Sequence, residues 1–224
     1  MKILSFQLRG VLQSWGESSR WDNRDTSAIP TKSAVIGMLG ACLGYPRGDE
    51  RLSLLSRKLR LAVRVDASGT VMTDYQTVQA PTSFIMNAQG SKRPGDTIVT
   101  PRQYLQDAAF TVYLHGDEAV LHQCEAALLQ PVWVPYLGRK CCVPSVPVLP
   151  EMLNLQSLEE AVCGHQTSRM KQPDTVAQIE GLDGLLTDEF VLTRKDELSP
   201  LGLRTFTERN VRVMRVKREE MPCT

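Results

Sequence analysis

The chain has only three histidines, His115, His122 and His165, and no two of them stand at a metal-binding spacing. There is no HExxH, no GxSxG, no phosphate-cradling GxxxxGK[ST] and no GxGxxG. The common zincin, hydrolase, P-loop and dinucleotide-binding signatures are therefore missing. The six cysteines form no CxxC pair, and Cys141 and Cys142 are adjacent, which suits neither zinc ligation nor an ordinary disulfide. No metal and no cofactor are expected. No apolar run reaches transmembrane length. The first ten residues alternate like a strand instead of forming a signal h-region, so a cytoplasmic location with reduced thiols is expected. A dominant charge is also lacking: 26 basic against 25 acidic residues give a net charge of +1. A free-standing nucleic-acid binder is usually far more basic.

What is present is ordinary globular material. The 224 residues are 42% hydrophobic, enough to build one large domain or two small ones. The charge is uneven. Residues 1–150 carry 16 Lys/Arg against 12 Asp/Glu, and residues 151–224 carry 10 against 13. Inside the acidic part runs a basic strip, Arg204, Arg209, Arg212, Arg215, Lys217 and Arg218. Such a strip can hold phosphates on a near-neutral chain.

Alternation marks the strands. Leu4, Phe6 and Leu8 share one face of Lys2–Arg9. Leu59, Leu61, Val63 and Val65 define a second strand whose other face carries Arg60 and Arg64. Phe110, Val112 and Leu114 define a third, at about 108–115, and Val132–Tyr136 is the expected fourth. Thr31–Leu43 reads as a helix capped by Thr31 and closed by Gly44; Asp117–Gln130 is a second, amphipathic helix. The order strand, helix, strand, strand, helix, strand is that of ferredoxin-like domains, shared by RNA-recognition folds. The expected fold is thus α+β: a ferredoxin-like domain over 1–145, a protruding insertion at about 68–107, and a small strand-rich unit over 146–224. In that unit Leu153–Cys163 reads as a short helix, and Val176–Ile179, Phe190–Thr193 and Asn210–Lys217 read as strands.

Three segments have the chemistry of backbone binders. Gln13-Ser14-Trp15-Gly16 offers an amide, a hydroxyl, a flat ring and a flexible turn. Trp15 is equally suited to a core anchor. Pro30-Thr31-Lys32-Ser33 sits at a helix start, where free N–H groups, the helix dipole and Lys32 attract a phosphate. Tyr136-Leu137-Gly138-Arg139-Lys140 places a glycine between an aromatic and two cations, so that backbone and ligand can approach closely. Each is also readable as plain structure. Metal-free RNA cleavage would need a base near a 2′-hydroxyl and a cation; Tyr45, Tyr104 and His115 are the imaginable participants.

The stretch LQSWGESSRWDNRDTSAIPTKSAVIGMLGACLGYPRGD resembles the N-terminal signature of the CasD-type subunits of type I-E CRISPR Cascade complexes. YLQDAAFTVYL and PVWVPYLGRKCC are similar to later blocks of that family, and RTFTERNVRVMRV more loosely to its last strand region. The resemblance implies a ferredoxin-like domain with a thumb hairpin, holding the 5′ handle of the CRISPR RNA. It implies contacts with a CasC-type backbone subunit and a large PAM-reading subunit, with target DNA met only through the complex and no membrane. Gln13, Ser14, Trp15, Gly16, Arg24, Thr31, Lys32, Ser33, Tyr136, Leu137, Gly138, Arg139 and Lys140 are then handle-binding candidates, joined by Arg102 and Tyr104 at the returning base of the thumb. Type I-C relatives cut the precursor RNA with a tyrosine and an adjacent Lys-His pair. This sequence has no Lys-His dipeptide, which favours binding over catalysis.

Overall fold

The computed structural model describes residues 1–17, 24–80, 84–86, 90–95, 97–165, 174–181, 190–199 and 205–217. Its centre is a seven-stranded sheet, and every pairing in it is antiparallel. The alternating segments build its middle: β1 (Lys2–Arg9), β3 (Leu59–Ala67) and β8 (Ala109–Gly116). β8 lies between the other two, with Val112 opposite both Phe6 and Val63. Leu4, Phe6, Leu8, Leu61, Val63, Phe110, Val112 and Leu114 form the core on one side. Removing each of these from water contributes about 1.5–3 kcal/mol. The other side is covered too: Ile3, Ala62 and Tyr113 pack with Leu158, Ala161 and Val162. The second face of β1 carries Ser5, Gln7 and Arg9, and Ser5 is buried there.

Three helices cover the first face. α1 (Lys32–Cys42) is capped by Thr31, whose Oγ1 accepts from the Ala34 N–H at 3.3 Å, and Gly44 closes it at φ +74°. α3 (Glu118–Leu129) is capped by Asp117. Between them in sequence stands α2 (Glu50–Lys58), which the apolar pattern did not reveal. Its N-cap, Asp49, accepts from the Arg51 N–H at 2.9 Å. α1 and α2 touch at Gly40, where a Cβ would run into the side chain of Leu52. α4 (Leu158–Gly164) lies on the opposite face, and its start was expected five residues earlier, at Leu153.

The fourth strand is not Val132–Tyr136. Pro135 removes a backbone donor inside that segment and Pro131 another just before it. The N–H groups of Val132 and Trp133 go instead to the carbonyls of Cys42 and Ala41 at the end of α1. The β1 edge is taken by β9 (Glu151–Asn154), with Ser5 opposite Glu151.

The insertion is a long hairpin. β4 (Thr70–Gln79) pairs with β7 (Thr97–Gln106) from Thr70↔Gln106 to Gln79↔Thr97, and β2 (Leu12–Gln13) adds a third strand against β7. β5 (Phe84–Met86) and β6 (Lys92–Pro94) pair with each other beyond it. Val71, Tyr75, Val78 and Val99 are exposed along the hairpin. The last strands, β10 (Asp174–Glu180), β11 (Phe190–Leu198) and β12 (Phe206–Lys217), run longer than their apolar cores suggested. They extend the central sheet from the β3 edge in the order β3-β10-β12-β11. The division expected at 145/146 therefore crosses a continuous sheet.

Candidate nucleic-acid interface

Four distant segments meet where β2 leaves the end of β1. The Ser14 N–H donates to the Leu137 carbonyl at 3.0 Å, and the Arg24 N–H donates to Pro101 at 3.1 Å. Gln103 returns its N–H to Arg24 at 2.8 Å. Arg139 ties the group together. Its Nη1 donates to the Gln103 carbonyl at 3.0 Å, its Nη2 to the carbonyls of Arg24 and Asp25 at 3.1 and 3.4 Å. The guanidinium carbon lies 4.5 Å from the centre of the Tyr104 ring. Burial pushes the Tyr104 phenol pKa up, against the opposing pull of Arg139. Gly138, at φ +91°, makes the crossing possible, because a Cβ there would fall on the Ser14 carbonyl oxygen.

Within this knot the side chains of Gln13 and Trp15 face inward. Trp15 is 1% exposed. Its Nε1 donates to Gln13 Oε1 at 3.1 Å, and Gln13 Nε2 donates to the Ala108 carbonyl at 2.7 Å. Trp15 is thus a core anchor in this structure, and its ring has no free face for a base. Tyr104 and Leu137 are buried likewise, and Ser14 nearly so. Gly16, Tyr136, Gly138 and Lys140 remain exposed, with Arg24, Arg102 and Arg139 partly so. Arg102 stands opposite Asp74 midway along the β4/β7 ladder, not at its base, and its shielded Nε has no hydrogen-bond partner among the described residues.

The helix start at Thr31–Ser33 is occupied differently. Lys32 is 2% exposed. Its Nζ lies 2.5 Å from Glu180 and 3.0 Å from Glu197. Its backbone N–H donates to Asp196 Oδ2 at 2.8 Å. The phosphate position foreseen at this helix end is thus filled by a carboxylate of the chain itself, and Thr31 is buried beside it. Ser33 is half-buried, its hydroxyl 3.3 Å from that of Thr31. Burial works to raise the Asp196 pKa, but hydrogen bonds from Arg209 and Lys32 and the nearby charge of Arg194 outweigh it and hold the carboxyl below its ordinary range.

The basic strip is largely neutralised as well. Arg209 donates to both Asp196 oxygens at 2.6 and 2.9 Å, and Arg212 pairs with Glu159. Arg215 is exposed, while Arg204 and Arg218 lie outside the described residues. The basic face expected on β3 is covered by α4: Arg64 is fully buried, bonded to Asp66 at 2.7 Å and to the Val162 carbonyl at 3.0 Å. Residues that sequence reading passed over, Glu17, Glu180, Arg194, Asp196 and Glu197, make up this network. The one local signal was Arg194 and Asp196 two apart on a strand, hence on one face.

Tyr45, Tyr104 and His115 have separate partners. Tyr45 OH accepts from Gln123, Tyr104 OH lies near Cys141, and His115 Nδ1 lies 3.2 Å from the Lys2 carbonyl. Among the described residues no hydrogen bond joins any two of the three. Among those residues, too, no group of three His, Cys, Asp or Glu side chains is placed to hold a metal, and no helix is long and apolar enough to cross a membrane.

Comparison with known proteins fits this architecture. A curated relative, the CRISPR system Cascade subunit CasD of Escherichia coli (strain K12), is 38% identical over 158 residues, 65% of this chain and 68% of that protein. A solved chain from a CRISPR RNA-guided surveillance complex superposes with TM-score 0.72 at 30% identity, covering 96% of this chain and 90% of that one. A second, described as a Cas protein, gives TM-score 0.69 at 32% identity, covering 96% and 95%. The model of the family described as CRISPR-associated protein (Cas_Cas5) matches residues 3–217. This chain belongs to that CRISPR-associated Cas5 family.

Proposed function

We propose that this chain is a non-catalytic subunit of a Cascade-type CRISPR effector and grips the 5′ handle of the CRISPR RNA. The observation that carries the reading is the convergence of Gln13–Trp15, Arg24, Arg102–Tyr104 and Leu137–Arg139 in one hydrogen-bonded knot. Buried members fix the backbone; Gly16, Tyr136, Gly138 and Lys140 present its outer surface, flanked by Arg24 and Arg102. Exposed backbone, one aromatic and a few cations suit a single-stranded RNA held by its backbone. The partly exposed guanidinium of Arg102 can donate to a phosphate oxygen. Gln13, Ser14, Trp15, Tyr104 and Leu137 support the grip from beneath, and Thr31, Lys32 and Ser33 brace it through α1.

The order β9-β1-β8-β3, with α1 and α3 on one face, supports the ferredoxin-like reading. In that reading the β4/β7 hairpin is the thumb, and its exposed Val71, Tyr75 and Val99 are available to a partner. Residues 1–145 bind, and 146–224 brace them. The proposed partners are the handle, a CasC-type backbone subunit and a large PAM-reading subunit, and target DNA is reached through the complex. The similarity to a Cascade subunit and to a chain of an RNA-guided complex supports the assembly role.

A gel-shift titration of the purified chain against labelled handle RNA and a scrambled control, in EDTA, tests this. Tighter binding of the handle with the RNA left whole is expected. Equal affinity for both RNAs would remove the handle reading, and site-specific cleavage would remove the non-catalytic one.

A further inference from the structure

Arg194 joins the last strands to the segment running from Trp15 to Ser27. It is 5% exposed. Its Nε and Nη2 donate to the two Glu17 oxygens at 3.2 and 3.0 Å, Nη2 also to Ser27 Oγ at 2.9 Å, and Nη1 to Gln178 Oε1 at 2.7 Å. Strand register puts Arg194 directly opposite Arg209. Like charges so placed repel unless each has its own carboxylate. Asp196 serves Arg209 bidentately and lies 3.9 Å from Arg194 Nε, beyond hydrogen-bond reach. Glu17 is therefore the carboxylate that matches the Arg194 fork.

Glu17 and Ser27 stand near the two ends of the same loop, and the Ser27 N–H also donates to the Trp15 carbonyl at 2.7 Å. One guanidinium holds both ends. We propose that Arg194 is the positioning residue of the two flanks Trp15–Glu17 and Arg24–Ser27: β11 holds them against each other from the far edge of the sheet without itself touching RNA. The four hydrogen bonds above use most of the five donors an arginine has, leaving little for a phosphate. The effect on RNA rests on the handle-binding reading; the effect on the loop rests on the geometry alone.

The test uses the full chain with Trp21→Phe and Trp133→Phe, leaving Trp15 as the sole tryptophan, excited selectively over the tyrosines. Arg194→Gln and Glu17→Gln are compared for Trp15 emission, acrylamide quenching and handle affinity across a salt series. Both should shift emission to the red and weaken handle binding about tenfold, with the salt slope unchanged. Arg194→Lys should fall between them and the parent, since one ammonium cannot span Glu17 and Ser27 together. Glu17 is partly exposed, so its variant keeps the test open if Arg194→Gln fails to fold. Unchanged Trp15 emission in Glu17→Gln and in every Arg194 variant that folds would overturn the proposal. So would a salt slope reduced by about 0.7 in Arg194→Gln, the mark of a lost phosphate contact. If the parent shows no handle preference while both variants still release Trp15, the positioning role stands and the handle reading falls.

Discussion

Two clusters of cations lie within one molecule and are used in opposite ways. Around Lys32, Arg194 and Arg209, each cation meets carboxylates: Glu17, Glu180, Asp196 and Glu197. Around Gly138, Arg139 meets neutral carbonyl oxygens, and Lys140 beside it is exposed. The first cluster has spent its charge on the fold. The second keeps its charge, because a carbonyl accepts a hydrogen bond without cancelling the cation. A basic residue in a sequence is therefore a ligand for phosphate only if the fold has not already supplied an anion.

The sharpest break of that contrast is Asp196→Ala. It takes the bidentate acceptor from buried Arg209, leaving it only the longer Glu180 contact at 3.7 Å, and the acceptor from the Lys32 N–H, and should cost about 3 kcal/mol in urea unfolding. Loss below about 1 kcal/mol would mean that the buried network does not hold the fold. Gly138→Ala strikes the other cluster through its backbone and should cost roughly 2–4 kcal/mol, from the clash with Ser14 and the positive φ. Its handle affinity should fall with its stability; a variant as stable as the parent would show that the crossing at Ser14 is not fixed.

Acid sharpens the comparison further. Asp196 has a folded pKa below that of the unfolded chain, which lies near ~3.9. Its stabilisation is therefore fully present above the unfolded value and is lost as pH falls through the lower folded value. Asp196→Asn should flatten the stability profile below pH ~4 while Lys140→Ala leaves it unchanged. Parallel profiles for parent and Asp196→Asn would break the argument.

The smallest effects separate the neighbours Arg139 and Lys140. Arg139→Ala removes hydrogen bonds to three carbonyls and should cost about 2 kcal/mol, with little change in salt slope. Lys140→Ala should leave stability within about 0.5 kcal/mol of the parent and reduce the slope by about 0.7. Reversed results would exchange their roles, making Arg139 the phosphate ligand.

How far the sequence could be read follows from the range of each interaction. Lys2–Arg9, Leu59–Ala67 and Ala109–Gly116 announce themselves by alternation, a property of one segment. α2 was hidden because Glu50–Lys58 carries few apolar residues, although Asp49 is a good cap. Val132–Tyr136 misled because apolar content outweighed two prolines. The side chain of Trp15 could not be placed until Gln13 and Ala108 were seen to hold it. Lys32 was least legible, since its partners lie 148 to 165 residues away. No local pattern marks a carboxylate that arrives from another strand.

The strand order also bears on synthesis. Among the described residues β11 pairs only with β12, while β12 also pairs with β10. As the chain emerges, β11 precedes that partner and must wait for it. Arg194 and Asp196 reside on β11, so the Trp15–Ser27 loop and the start of α1 receive their partners only after β12 has been made. Glu17 and Ser27, made early, are thus held late, and a ribosome paused before Phe206 would carry a chain whose β1 has already paired with β8 while Arg194 still lacks its strand partner.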